Sequence, residues 1–135
     1  MNRALLLGYQ LLTGLSDTGT GAMLMIAPTF TLNMLRLPAL SADLVYVSFI
    51  GAFVLSVGLS NLYGAYIVYD RSNRRDLEMV WLLTAFTRSS VAIFVLAQVL
   101  TGDLASGWLV VAVFDGLCVL FQAVGLHKGW LVHAA

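Results

Sequence analysis

The sequence predicts an all-α integral membrane protein: four transmembrane helices in a bundle, with a short interfacial helix between spans 1 and 2. Three observations carry that expectation. The 135 residues are 60% hydrophobic and only 10% charged, where a soluble domain carries about 25% charged residues. The mean hydropathy is +0.90. The apolar residues also gather into stretches near the roughly 20 residues that one crossing needs.

The first span is expected over about 4–26. Met1-Asn2-Arg3 ahead of Ala4-Leu5-Leu6-Leu7 has the look of a signal peptide's start. The apolar run resumes after Leu15-Ser16-Asp17 and continues to Ile26, which favours a retained helix. Ala27-Pro28 ends it. Proline suits a first helical turn, so Pro28 opens a short element through Arg36, bounded by Pro38. Its mixture of apolar and polar residues fits a helix lying along the headgroups.

The second span is expected over about 43–69, with Ser41 or Asp43 capping its first amides. It exceeds one bilayer thickness and so tilts or protrudes. The charged cluster from Asp70 to Asp76 is a water-exposed turn. The third span covers about 77–100 and breaks at Thr101-Gly102-Asp103. The fourth covers about 108–125, and a short tail carries His127, Lys128 and His133. The whole chain, 1–135, reads as a single domain.

Arginine and lysine in short loops set orientation. Arg3, Arg71, Arg74, Arg75 and Lys128 fall on one side, and Arg36 alone on the other. Both termini are therefore expected in the cytoplasm. Tyr9, Tyr63, Tyr66, Tyr69, Trp81 and Trp130 are expected at the cytoplasmic membrane interface, with Trp108 and Tyr46 at the opposite one.

Three charges interrupt the spans. At ~1.5 Å per residue, Arg88 lies roughly 16 Å from the Leu77 end of its span. Asp115 reaches a matching depth on the next span, and Asp17 lies about 20 Å into the first. Insertion costs about 2.5–3.5 kcal/mol for each such charge at a helix centre. Pairing Arg88 with Asp115 relieves both. The forked guanidinium also suits a second carboxylate, Asp17; the alternative is that Asp17 carries a proton. This layer reads first as a structural pin. A ligand-headgroup anchor and a proton relay are the sharper alternatives. Gln10, Gln98, Gln122, Thr13, Thr84 and Thr87 release no protons near neutral pH, which weighs against the relay.

Small residues form helical stripes. Gly14 and Gly21 lie on one stripe of span 1, and Gly51 and Gly58 on one of span 2. Such stripes let backbones approach closely in lipid, within the chain or against another subunit. Cys118, the single cysteine, precludes an internal disulfide and reads as a small buried hydrophobe. No metal site is expected: His127 and His133 lie beyond the last span. A pigment or haem contact at His127 stays open, as does the identity of any cofactor. No phosphate loop, nucleophile elbow or zinc motif is present, which leans away from an enzyme. Zero net charge without a basic tract argues against nucleic acid.

Ala27-Pro28, Gly51-Ala52-Phe53, Val57-Gly58-Leu59, Arg88, Gly102-Asp103 and Asp115 together resemble the DoxX-like small four-span bacterial membrane proteins, and particularly an uncharacterised branch of them. The resemblance implies a four-helix membrane bundle, sometimes associated with a larger redox complex. It supplies no catalytic residue. The leading expectation is a non-catalytic accessory or scaffolding subunit in a prokaryotic inner membrane. Its partners would be other membrane subunits of an electron-transfer or photosynthetic complex, copies of itself, or lipids. The alternatives are a binder or carrier of a lipophilic small molecule (quinone, carotenoid or lipid) and a proton-coupled small transporter.

Overall fold

The computed structural model describes residues 2–37, 44–70 and 74–133. All regular structure among them is helical. The long helices are α1 (Arg3–Ile26), α3 (Leu44–Asp70), α4 (Arg74–Thr101) and α5 (Leu109–His127); α2 (Pro28–Met34) is short. Single 3-10 turns precede α5 at Ser106–Trp108 and follow it at Trp130–His133.

Local chemistry sets the helix ends. The Asn2 side chain accepts a hydrogen bond from the Ala4 amide at 3.1 Å, so α1 starts on a capping residue. Pro28 occupies the first turn of α2, where its missing N–H costs nothing. Arg36 adopts φ +54°, and the Leu37 amide returns to the Leu32 carbonyl at 2.9 Å. That is the closing geometry of a left-handed C-terminal cap. Glycine more often fills such a position. Gly102 does so after α4, at φ +86°, with the Asp103 amide returning to the Gln98 carbonyl at 2.9 Å.

Helix α2 thus ends two residues short of the expected Arg36. It packs on α1 and α3, burying Thr31 and Leu32. Pro38, the proposed Ser41 or Asp43 cap, and the centre of the charged turn at 71–73 lie outside the described residues.

Three helices are long and apolar enough to cross a bilayer: Leu44–Asp70, Arg75–Thr101 and Ser106–His127. The expectation of four is met only to that extent. Helix α1 is long enough, at 24 residues, or about 36 Å. Gln10, Thr13, Ser16, Asp17, Thr18 and Thr20 dilute its apolar character. The Gln10, Thr13 and Asp17 side chains face inward and are buried, while Leu5, Leu12, Leu15 and Ile26 face outward.

The long helices form two antiparallel pairs, α1 with α3 and α4 with α5. The first pair meets backbone to backbone. A Cβ on Gly21 would come 2.7 Å from the Gly51 carbonyl oxygen, and one on Gly51 within 2.8 Å of Leu24 Cβ. Gly14 faces Leu62 and Gly58 faces Thr18 with the same lack of room. All four glycines therefore join helices of one chain. Arg3 locks the near end: its Nε donates to the Val68 carbonyl at 3.0 Å and its Nη2 to that of Tyr69 at 2.5 Å. A cation on the last carbonyls of a helix is favoured by the axial dipole.

The two pairs enclose two apolar cores. One contains Leu6, Ile67, Val68, Leu77, Trp81 and Leu131, with Tyr9 and Phe121 packed against it. The other contains Leu24, Leu32, Leu37, Val47, Val95, Trp108 and Ala112. Trp81 is fully buried, and its ring centroid lies 5.6 Å from that of Tyr9. The expected interfacial belt is therefore corrected for Tyr9, Trp81, Trp108 and Trp130: their rings pack against the helix bundle. Tyr46, Tyr63, Tyr66 and Tyr69 do face outward.

Candidate functional site

A polar layer separates the two cores. Arg88 projects from the middle of α4 and is only 3% exposed. Its Nη1 donates to Asp115 Oδ1 of α5 at 2.5 Å. Its Nη2 donates to Asp17 Oδ2 of α1. One guanidinium thus ties α4 both to its own partner and to the opposite pair. The Phe114 ring lies 5.6 Å from Arg88 Cζ, within reach for a cation–π contact. The structure brings together all three charges singled out in the sequence.

Uncharged polar groups extend the layer towards the aromatic core. Gln122 Nε2 donates to Thr84 Oγ1 at 2.8 Å, joining α5 to α4. Gly64 leaves room for the Gln10 amide; a Cβ there would overlap it. Asn61 is fully buried and donates to the Val57 carbonyl at 3.2 Å. Many hydroxyls are satisfied within their own helices. Thr87 donates to the Leu83 carbonyl at 3.0 Å and Ser90 to that of Phe86 at 3.1 Å. This back-bonding lets hydroxyl residues occupy apolar surroundings.

On the other side of the layer lies a cavity of about 760 Å³. Asp17, Arg88 and Asp115 line its polar end, and Leu32, Leu37, Leu104 and Trp108 line it near the loops. Its walls are contributed by α1, α3, α4 and α5, largely through valine, leucine and phenylalanine. Phe49, Phe53, Phe94 and Phe114 line it and are also exposed on the outer surface. They mark openings between the helix pairs. Its size lies within the roughly 300–1,000 Å³ of small-molecule pockets.

The cavity's inward stripes are Thr20 and Leu24 on α1; Val47, Val54 and Val57 on α3; Val91 and Val95 on α4; and Val111 on α5. Leu24, Val47, Val95 and Trp108 belong to the second core, and the cavity borders that core and reaches to the charged layer. At the other end, the Tyr9, Trp81, Phe121 and Trp130 rings fill the gap between the pairs.

Two buried donors near the cavity lack hydrogen-bond partners among the described residues: Arg88 Nε and the Trp108 indole N–H. An unpaired buried polar group costs about 1–3 kcal/mol. The sequence reading found the charged layer but missed Trp108 as a lining residue, together with the hollow itself. Arg88, Val91 and Val95 on one helix and Trp108, Val111 and Asp115 on the next share helical spacing, but that spacing marks an inward face and not a hollow.

The other candidates divide: Cys118 adjoins the charged layer and Tyr9, and His127 lies away from it. His127 is exposed at the end of α5. No group of three or more metal-ligating side chains occurs among the described residues. Cys118 is buried. Comparison with family models, curated proteins and solved structures finds no match to this chain.

Proposed function

We propose that this chain is a membrane-embedded binder of a lipophilic small molecule. The observation that carries the reading is the cavity of about 760 Å³, with apolar walls and the Arg88 layer at one end. A ligand site of this kind pairs a mostly apolar lining with a few placed polar groups. The openings beside Phe49, Phe53, Phe94 and Phe114 would admit the molecule sideways from the acyl chains.

In this reading α1 is the fourth crossing. Its inward polar face and outward leucines support that placement, since buried polar groups are then shielded from lipid by α3 and α4. The chain resides in a prokaryotic inner membrane with both termini cytoplasmic, as the arginine distribution suggests. Ala27-Pro28, Gly51-Ala52-Phe53, Val57-Gly58-Leu59, Arg88, Gly102-Asp103 and Asp115 support a DoxX-like character. An accessory role in a larger membrane complex is compatible with ligand binding, and the broad outer apolar surface supports it. The relay reading has the least support, because the buried layer continues into Gln122, Thr84 and Gln10 rather than into groups that exchange protons.

The test is solvent extraction and mass spectrometry of the full chain, purified in mild detergent. The reading predicts a lipophilic molecule near one per chain, enriched over the bulk lipid extract. A native protein carrying nothing beyond bulk lipid would remove the support for it.

A further inference from the structure

The cavity's polar end is unbalanced. One guanidinium faces two carboxylates, so the fully ionised layer carries one net negative charge. Both terminal nitrogens of Arg88 are already committed to Asp17 and Asp115. An uncompensated charge in a low-dielectric interior is costly. An anionic ligand would worsen the imbalance. A cation would relieve it, in competition with a proton on one of the two carboxyls.

The hydroxyls and rings of the lining point the same way, while the unpaired Arg88 Nε and Trp108 indole N–H offer donors to an acceptor atom on the ligand's body. The Thr87 and Ser90 hydroxyls spend their protons on their own helix carbonyls. What they retain towards other groups is lone pairs, which accept from a donor and attract positive charge. Phe49, Phe53, Phe94 and Phe114 line the same volume, and the Phe114 ring already lies 5.6 Å from Arg88 Cζ. Aromatic faces attract desolvated cations.

From this arrangement we infer that the cavity selects a lipophilic cation, an apolar body bearing a single protonated amine or onium centre held near Asp17 and Asp115. The inference rests on the cavity's being a binding site, and it adds the charge of the ligand. The aromatic lining surrounds the apolar body, and the excess negative charge of the ionised Asp17–Arg88–Asp115 layer selects the head. Arg88 keeps the two carboxylates in position and leaves the layer one positive charge short.

Three probes of one shape test it: tetraphenylphosphonium, tetraphenylborate and neutral tetraphenylsilane. Each is measured separately by equilibrium dialysis against the full chain in detergent, with empty micelles as the blank. The inference predicts saturable phosphonium binding, one per chain, at least about tenfold tighter than either other probe. Asp115→Asn, with helicity and monodispersity retained, should weaken the phosphonium by about tenfold or more. The comparison of probes on the native protein needs no variant, so it stands even where Asp115→Asn fails to fold. Equal saturable binding of the silane and the phosphonium would overturn the charge preference and leave the cavity reading intact. Tighter binding of the borate would do the same. Saturable binding of none of the three would overturn both.

Discussion

The two ends of this molecule are built from the same four long helices and differ in how the space between helix pairs is occupied. At one end Tyr9, Trp81, Phe121 and Trp130 interlock, and Leu6, Val68, Leu77 and Leu131 are essentially inaccessible. At the other end the inward positions carry valine and leucine, and the gap remains as a cavity. Arg88, Asp17 and Asp115 form the boundary. The difference teaches that helix number and spacing do not decide whether such a protein has a pocket. The side chains placed between the pairs decide it. The closed end and the glycine-packed α1–α3 seam are tightly packed, and the hollow end is the part the proposed ligand would occupy.

The boundary should be the most sensitive place. Arg88→Leu leaves two carboxylates facing each other without their shared donor. Breaking a buried ion pair typically costs about 3–5 kcal/mol, and loss of that order is expected in denaturant titration of the detergent-solubilised protein. A variant as stable as the native chain would show that the layer does not hold the pairs together.

The two ends should then respond unequally to truncation. Trp81→Ala removes a fully buried ring and should cost about 3 kcal/mol. Val54→Ala borders existing empty space and should cost less than about 1 kcal/mol in the same titration. Similar losses at both sites would erase the distinction between packed and hollow ends.

The α1–α3 seam sharpens the contrast from a third side. Gly21→Val places side-chain atoms against the α3 backbone, which has no rotamer to yield. A loss of about 1–3 kcal/mol is expected. The smallest effect is expected at the end of α4. Gly102→Ala meets no neighbouring atom within 4 Å but must adopt φ +86°. It should cost about 1 kcal/mol, read as a small drop in the unfolding midpoint.

Much of this was legible in the chain because lipid exposure imposes long apolar runs. The helix at Leu44–Asp70 and the one at Arg74–Thr101 match the expected spans to within a few residues. Arg88, Asp17 and Asp115 stood out because charge is conspicuous among leucines, and equal depth placed them in one layer. The first span was less clear, since its polar residues lower its hydropathy without revealing that Gln10, Thr13 and Asp17 share a buried face. Trp81 was misplaced for a related reason. Tryptophan near a helix end suits a membrane interface, and only the packing shows that this ring points into the core. The cavity was not legible, because a stripe of valines reads as core whether or not anything lies opposite.

The central claim is that the hollow half is a site for an apolar molecule. Filling it tests that claim most directly. Val54→Trp introduces an indole into the cavity without touching the charged layer. Titration of the full chain with the neutral fluorescent hydrophobe N-phenyl-1-naphthylamine, with empty micelles as the blank, should give saturable binding in the native protein. It should give little or none in the variant, with unfolding midpoints that match. Equal binding by both proteins, or binding by neither, would contradict the claim.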